Sequence, residues 1–235
     1  ERIEQGELQN SDKPSVWQDF ASGLRYVLNW PALLIIASMA VLINFLLTPA
    51  FSLLPLLVKE YFGGNAIQLS WVNSAFGVGI ILGGLLLSIW GGFRRKILTS
   101  MFGLGGMGVG TLLMSQVPPT GIYIAIGAAL TVGMMQPITN GPIFAVMQST
   151  VAPDMQARVF SLLGSAAAGM SPIGLLIAGP ISDKFGIQTW FLLGGTLCLL
   201  MAVTGLFIPA FKNIEGRNED ENTSQDEISL APAPV

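Results

Sequence analysis

The stretch ILTSMFGLGGMGVGTLLMSQVPPTGIYIAIGAALTVGMMQPITNGPIFAVMQSTVAP, residues 97–153, runs for 57 residues without one Asp, Glu, Lys or Arg. A helix crosses the hydrocarbon core of a bilayer with about 20 apolar residues, so this run holds two crossings. The break falls at Val117-Pro118-Pro119-Thr120-Gly121, where paired prolines lack amide donors and a glycine permits the turn. Four further charge-free runs, 31–58, 61–93, 159–182 and 185–211, each hold one more crossing. The reading is an all-α membrane protein with six transmembrane helices, at about 31–58, 68–92, 97–117, 121–147, 158–182 and 187–211. A soluble core is disfavoured, because its helices need polar outer faces and these stretches are apolar all round.

Composition agrees: of 235 residues 51% are hydrophobic and only 11% charged, against about 25% charged in soluble domains. The chain has no histidine and one cysteine, Cys198. That excludes a disulfide within one chain and His/Cys metal sites, and no cofactor is expected. The only basic run, Arg94-Arg95-Lys96, lies between membrane spans, so no nucleic-acid partner is expected.

Those cations orient the chain instead. One set of loops and tails carries Arg2, Lys13, Arg25, Arg94, Arg95, Lys96, Arg158, Lys212 and Arg217, the other only Lys59 and Lys184. By the positive-inside bias both termini are cytoplasmic. Residues 1–14 read as a disordered cytoplasmic linker. Residues 212–235, with Glu215, Glu219, Asp220, Glu221, Asp226 and Glu227, read as a disordered acidic tail. Between linker and first span, Val16, Trp17, Phe20, Leu24, Val27 and Leu28 share one side of a helix over 15–30, opened by a Ser15/Gln18 capping box. This predicts an amphipathic helix lying at the membrane interface, with Trp17 and Trp30 at headgroup level.

An internal repeat is legible. Gly84-Leu-Leu-Leu-Ser88-Ile-Trp-Gly91 closes the second span and Gly179-Pro-Ile-Ser-Asp183-Lys184-Phe-Gly186 the fifth, 95 residues on and at the opposite membrane face. That is the pattern of an inverted 3+3 repeat.

Six spans in such a repeat, an amphipathic lead-in, and a glycine-framed turn followed by Arg94-Arg95-Lys96 resemble the C-terminal half of a major facilitator superfamily transporter. The stretches Gly23-Leu-Arg-Tyr-Val27, 83–96 and 151–161 are similar to the macrolide-efflux-like branch of its drug:proton antiporters. The resemblance implies an exporter in a bacterial inner membrane that moves an amphipathic drug or metabolite by alternating access, and no enzyme. It also implies that a second six-helix half precedes Glu1. The alternatives are a half-size transporter acting as a dimer of two copies and a non-transporting membrane scaffold. The superfamily's cytoplasmic loop motif carries an acid where Ser88 stands, so an acid gate is not carried over there, whereas Asp183 and Lys184 keep the pattern in the second copy.

In the resembled fold the first, second, fourth and fifth helices face the cavity. The expected substrate contacts are accordingly Asn44, Thr48, Phe51, Trp71, Asn73, Phe76, Met134, Met135, Gln136, Thr139 and Asn140. Pro137 and Pro142 free carbonyls beside the adaptable methionines. Apart from Arg158 at the very start of the fifth, no Asp, Glu, His, Lys or Arg lies inside any proposed span, so a proton carrier, if one operates, belongs to the other half. Gly103-Leu-Gly105-Gly-Met-Gly108 matches a dinucleotide fingerprint as a string. It follows no strand, and the expectation is close helix packing through Gly103, Gly106 and Gly110. Gly77, Gly79, Gly83 and Gly84 are expected to let the second helix pack closely and slide.

Overall fold

A computed structural model describes residues 16–207; the Ser15/Gln18 capping box, the linker 1–14, the tail 212–235 and the side chain of Trp17 lie outside what it describes. The elements are α1 (Val16–Leu28), α2 (Pro31–Ser52), α3 (Leu54–Leu56), a π-helical turn (Leu57–Tyr61), α4 (Ala66–Trp90), α5 (Lys96–Gln116), α6 (Ile122–Thr150), α7 (Pro153–Phe185) and α8 (Ile187–Phe207). Six segments are long and apolar enough to cross a membrane: Leu33–Tyr61, α4, α5, α6, α7 and α8.

Local chemistry explains the ends. The first crossing contains Pro49 and Pro55, and past them the backbone loosens from α to π, with the Phe62 N–H reaching back to the Leu57 carbonyl at 3.2 Å. Asn65 and Gln68 close a reciprocal capping box on α4 at 3.1 and 3.0 Å. Gly91 ends α4 in the left-handed region at φ 73°, and Gly92 follows at 79°. The second span therefore stops two residues short of the expected 92. The fifth differs more: α7 runs for 33 residues, about 50 Å at 1.5 Å per residue. Its ends carry Asp154, Arg158, Asp183 and Lys184 beyond the apolar run, because a helix has no reason to stop where the hydrocarbon does.

The packing follows an exchange rule. α4 lies along α6 as α7 lies along α2, α5 meets α6 as α8 meets α2, and α5 meets α8. Swapping the first three crossings for the last three leaves these pairings unchanged, which is the inverted 3+3 repeat in physical form. Single residues show the same relation. Gly79 sits against the α6 backbone at Leu130 and Met134, and Gly174, 95 positions on, against the Phe45 carbonyl and Pro49 of α2. Gly83 has buried Ala178 as its counterpart.

Small residues make these approaches possible in a medium where apolar burial itself drives little association. Gly103, Gly106 and Gly110 lie against Thr139, Met135 and Val132 of α6, and Gly108 and Gly195 face each other between α5 and α8. The four α4 glycines divide, however. Gly79 and Gly83 meet α6 backbone directly, whereas a Cβ at Gly77 or Gly84 would meet nothing within 4 Å. The expectation that all four pack closely is corrected: Gly79 and Gly83 do, whereas Gly77 and Gly84 face open space.

Polar ties complete the bundle. The buried Trp190 indole N–H donates to the Leu46 carbonyl at 2.9 Å, and the Tyr61 hydroxyl to the Val117 carbonyl at 3.0 Å. α1 splits its apolar side. Val27 is buried, and Gly23 lies against the Arg158 backbone of α7, while Phe20, Leu24 and Leu28 remain exposed.

Candidate functional site

α2, α5 and α7 begin at the Arg94 end of the bundle, and α6 finishes there. Their portions nearest that end part around a cavity of about 360 Å³. Its wall carries residues at helical spacing: Ile36, Met39, Ala40, Ile43 and Asn44 on α2; Ile97, Met101 and Leu104 on α5; Thr139, Asn140, Ile143, Phe144, Val146 and Met147 on α6; Phe160, Leu163, Gly164 and Ala167 on α7.

Only three of these side chains bear hydrogen-bonding groups. Asn44 spends its Nδ2 on the Ala40 carbonyl at 2.8 Å, which leaves its Oδ1 as an acceptor. Thr139 is buried and donates to the Met135 carbonyl at 2.8 Å, with the Met107 sulfur 3.4 Å away. Asn140 is exposed, and its amide has no hydrogen-bond partner among the described residues. No ionisable side chain lines the cavity. Such a wall takes up apolar surface and offers an uncharged donor and acceptor; by itself it has no group to carry a proton or to neutralise a charge.

The eleven expected contacts thus separate. Asn44, Thr139 and Asn140 meet in the cavity, and the other eight do not line it. Phe51 and Phe76 pack against each other between α2 and α4, tilted at 53° with centroids 4.9 Å apart. Met135 fills the space over Gly106, and the Met134 backbone bears on Gly79 and Gly83. These are packing roles between helices. Trp71 and Asn73 are exposed on α4, and Thr48 and Gln136 are half-buried. Sequence reasoning missed Met39, Met101, Phe144, Met147 and Phe160. The usable signal was the stripe of i, i+3, i+4 and i+7 positions running from Asn44 and Asn140 toward the Arg94 end, rather than polarity.

The loop-motif residues lie at the two ends of the bundle. Gly84 faces open space, Ser88 is exposed, Gly91 turns the chain, and Arg94, Arg95 and Lys96 are exposed at the start of α5. At the opposite end Gly179 faces open space, and Gly186, at φ 90°, caps α7 by donating its N–H to the Ser182 carbonyl at 2.9 Å. Asp183 and Lys184 are exposed there, with the Lys184 ammonium 5.4 Å from the Phe185 ring centre. Among the described residues no cluster of three or more His, Cys, Asp or Glu side chains could hold a metal.

Comparison with known proteins decides the family: the model of the Major Facilitator Superfamily matches residues 20–234. The chain belongs to the major facilitator superfamily. It is a multi-pass member of this transporter superfamily, and its relatives are efflux proteins. Macrolide efflux protein A of Streptococcus pyogenes is 28% identical over 210 residues, covering 89% of this chain and 52% of the relative. Macrolide efflux protein A of Enterococcus faecalis is 28% identical over 170 residues, covering 72% and 53%. Multidrug efflux pump Tap of Mycolicibacterium fortuitum is 27% identical over 205 residues, covering 86% and 48%. The chain spans about half the length of the curated relatives it matches. No solved structure matches it.

Proposed function

We propose that this chain is the C-terminal six-helix half of a bacterial inner-membrane exporter, with both termini cytoplasmic, and that its cavity binds part of an amphipathic, macrolide-like drug or metabolite. The observation that carries the reading is the apolar, uncharged wall holding Asn44, Thr139 and Asn140, in a superfamily member whose relatives are a macrolide efflux protein and a multidrug efflux pump.

Two crossings have the rest of their surface uncovered. α4 and α7 bury the smallest shares of their apolar windows, 17% and 11%, and expose among others Ile81, Leu85, Ile89, Leu176 and Phe185. Their exposed faces fit a second six-helix half, against which this one rocks to open the site to either side of the membrane in turn. A proton carrier would sit in that second half. In a whole transporter this chain supplies apolar contact, two amides and the rigid wall.

The test is drug resistance conferred by the full-length transporter on a pump-deficient bacterial host. Resistance to amphipathic drugs, including a macrolide, is expected, and Asn140→Leu and Phe144→Ala should lower it at unchanged membrane abundance. Full resistance in both variants would remove the cavity from the mechanism. Absence of efflux by the intact protein would favour the scaffold reading.

A further inference from the structure

We propose that the turn between α4 and α5 is a binding site for the headgroup of an anionic phospholipid, seated on Arg94, Arg95 and Lys96 and framed by Trp90, Phe93 and Phe102.

The three rings form a closed edge-to-face cluster, with centroids 4.7 Å apart for Trp90 and Phe93, 5.9 Å for Phe93 and Phe102, and 6.3 Å for Trp90 and Phe102. They are nonetheless open to the surroundings, at 41%, 44% and 53% exposure. Aromatic rings with this much free surface at the end of a membrane-crossing helix belong at the depth of the headgroups, where one side is apolar and the other wet.

The turn that bears them is built, not frayed. Gly91 and Gly92 take left-handed backbone at φ 73° and 79°, and the Phe93 N–H donates to the Thr99 hydroxyl at 2.8 Å. The three cations that follow are exposed and have no hydrogen-bond or ion-pair partner among the described residues.

Charge favours an anion at this end of the bundle only. No acid occurs in the sequence between Glu60 and Asp154. At the Arg94 end the five cations Arg25, Arg94, Arg95, Lys96 and Arg158 stand against two acids, Asp19 and Asp154, among the described residues. At the other end Lys59 and Lys184 are balanced by Glu60 and Asp183. A row of cations beside membrane-level aromatic rings suits a phosphate whose acyl chains continue down the helices.

The test uses the full-length protein in phosphatidylcholine vesicles containing brominated phosphatidylglycerol, or, as the matched control, brominated phosphatidylcholine. Bromine quenches tryptophan on contact, and the difference between wild type and Trp90→Phe isolates the Trp90 signal. Phosphatidylglycerol should be enriched beside Trp90 at least about five-fold over its bulk share, since one cation near an anionic surface is worth about that factor. The triple variant Arg94→Gln, Arg95→Gln, Lys96→Gln should return the enrichment to one. Should that variant fail to insert, a salt series on the wild type serves in its place, because screening from about 0.01 to 1 M shortens the Debye length roughly ten-fold. Quenching that follows bulk composition in the wild type, enrichment that survives the triple substitution, or enrichment indifferent to salt each overturns the proposal. Enrichment that arises only after residues 208–235 are deleted assigns the cations to the acidic tail and overturns it as well.

Discussion

Replacing Gly83 with alanine tests the packing argument most directly. A Cβ built at Gly83 lies 2.7 Å from the carbonyl carbon of Met134, in α6 backbone that has no flexible end to swing aside. Carbon atoms rest at about 3.5 to 4.0 Å, so α4 and α6 have to part by about 1 Å. The same displacement loosens Gly79 against Leu130 and Gly133 against Phe76, which lie in the same seam. Overpacking of this kind costs about 1 to 3 kcal/mol, and the unyielding α6 backbone puts it in the upper part of that range, about 2 to 3 kcal/mol, while alanine regains about 1 kcal/mol of helix propensity relative to glycine. The net expectation for Gly83→Ala is a loss of about 1 to 2 kcal/mol, and Gly83→Leu should fail to reach a folded state. Gly84 is one residue away with nothing within 4 Å of its Cβ position, so Gly84→Ala leaves the α4–α6 seam undisturbed and should cost less than Gly83→Ala. The assay is thermal unfolding of the purified full-length variants in one detergent, followed by size-exclusion chromatography. A Gly83→Ala protein as stable as wild type, or a Gly84→Ala protein that loses as much, would refute the backbone-contact reasoning.

Other outcomes follow from the same geometry. Asn140→Leu should weaken binding of a hydrogen-bonding drug by about five-fold, the worth of one net hydrogen bond of about 1 kcal/mol, and drug-binding fluorescence measures it. Phe144→Ala, which removes half-exposed apolar wall from the cavity, should weaken binding of every apolar ligand by a similar or larger factor, whatever its polar groups. Trp190→Phe keeps most of the ring but leaves the Leu46 carbonyl without its indole donor, and thermal unfolding should show a loss of about 1 kcal/mol. A reporter active only in the cytoplasm should be active when fused after Phe211 and silent at Pro119; the reverse pattern inverts the proposed topology.

How legible the fold was depended on which force decided each feature. The six crossings follow from exclusion of charge, which acts residue by residue and needs no tertiary context. The repeat was visible as two glycine-framed segments 95 residues apart, and the bundle shows why that spacing exists: Gly79 and Gly174 let equivalent helices touch the backbone of α6 and α2. The ends were less legible. The extension of α7 through Asp154 and Arg158 could not be read from apolar run length, because charges mark where the hydrocarbon ends and not where a helix does.

The site shows the sharper division. Polarity within a span selected Asn44, Thr139 and Asn140, which line the cavity, and equally Asn73 and Gln136, which do not. Nothing in the sequence separates Met135, which fills the gap over Gly106, from Met101 and Met147, which line the cavity. A methionine has the same chemistry in both places, and only the rotation of each helix about its axis sends it to one or the other. That rotation is set by which glycines meet which backbones across α2, α4, α5, α6, α7 and α8. Sequence alone determined that the chain crosses a membrane six times in two inverted halves, since solvation acts on each segment separately. Tertiary structure alone decided the cavity wall and the close contact of Gly79 and Gly83 with α6, since these depend on distances between residues that the chain itself does not hold together.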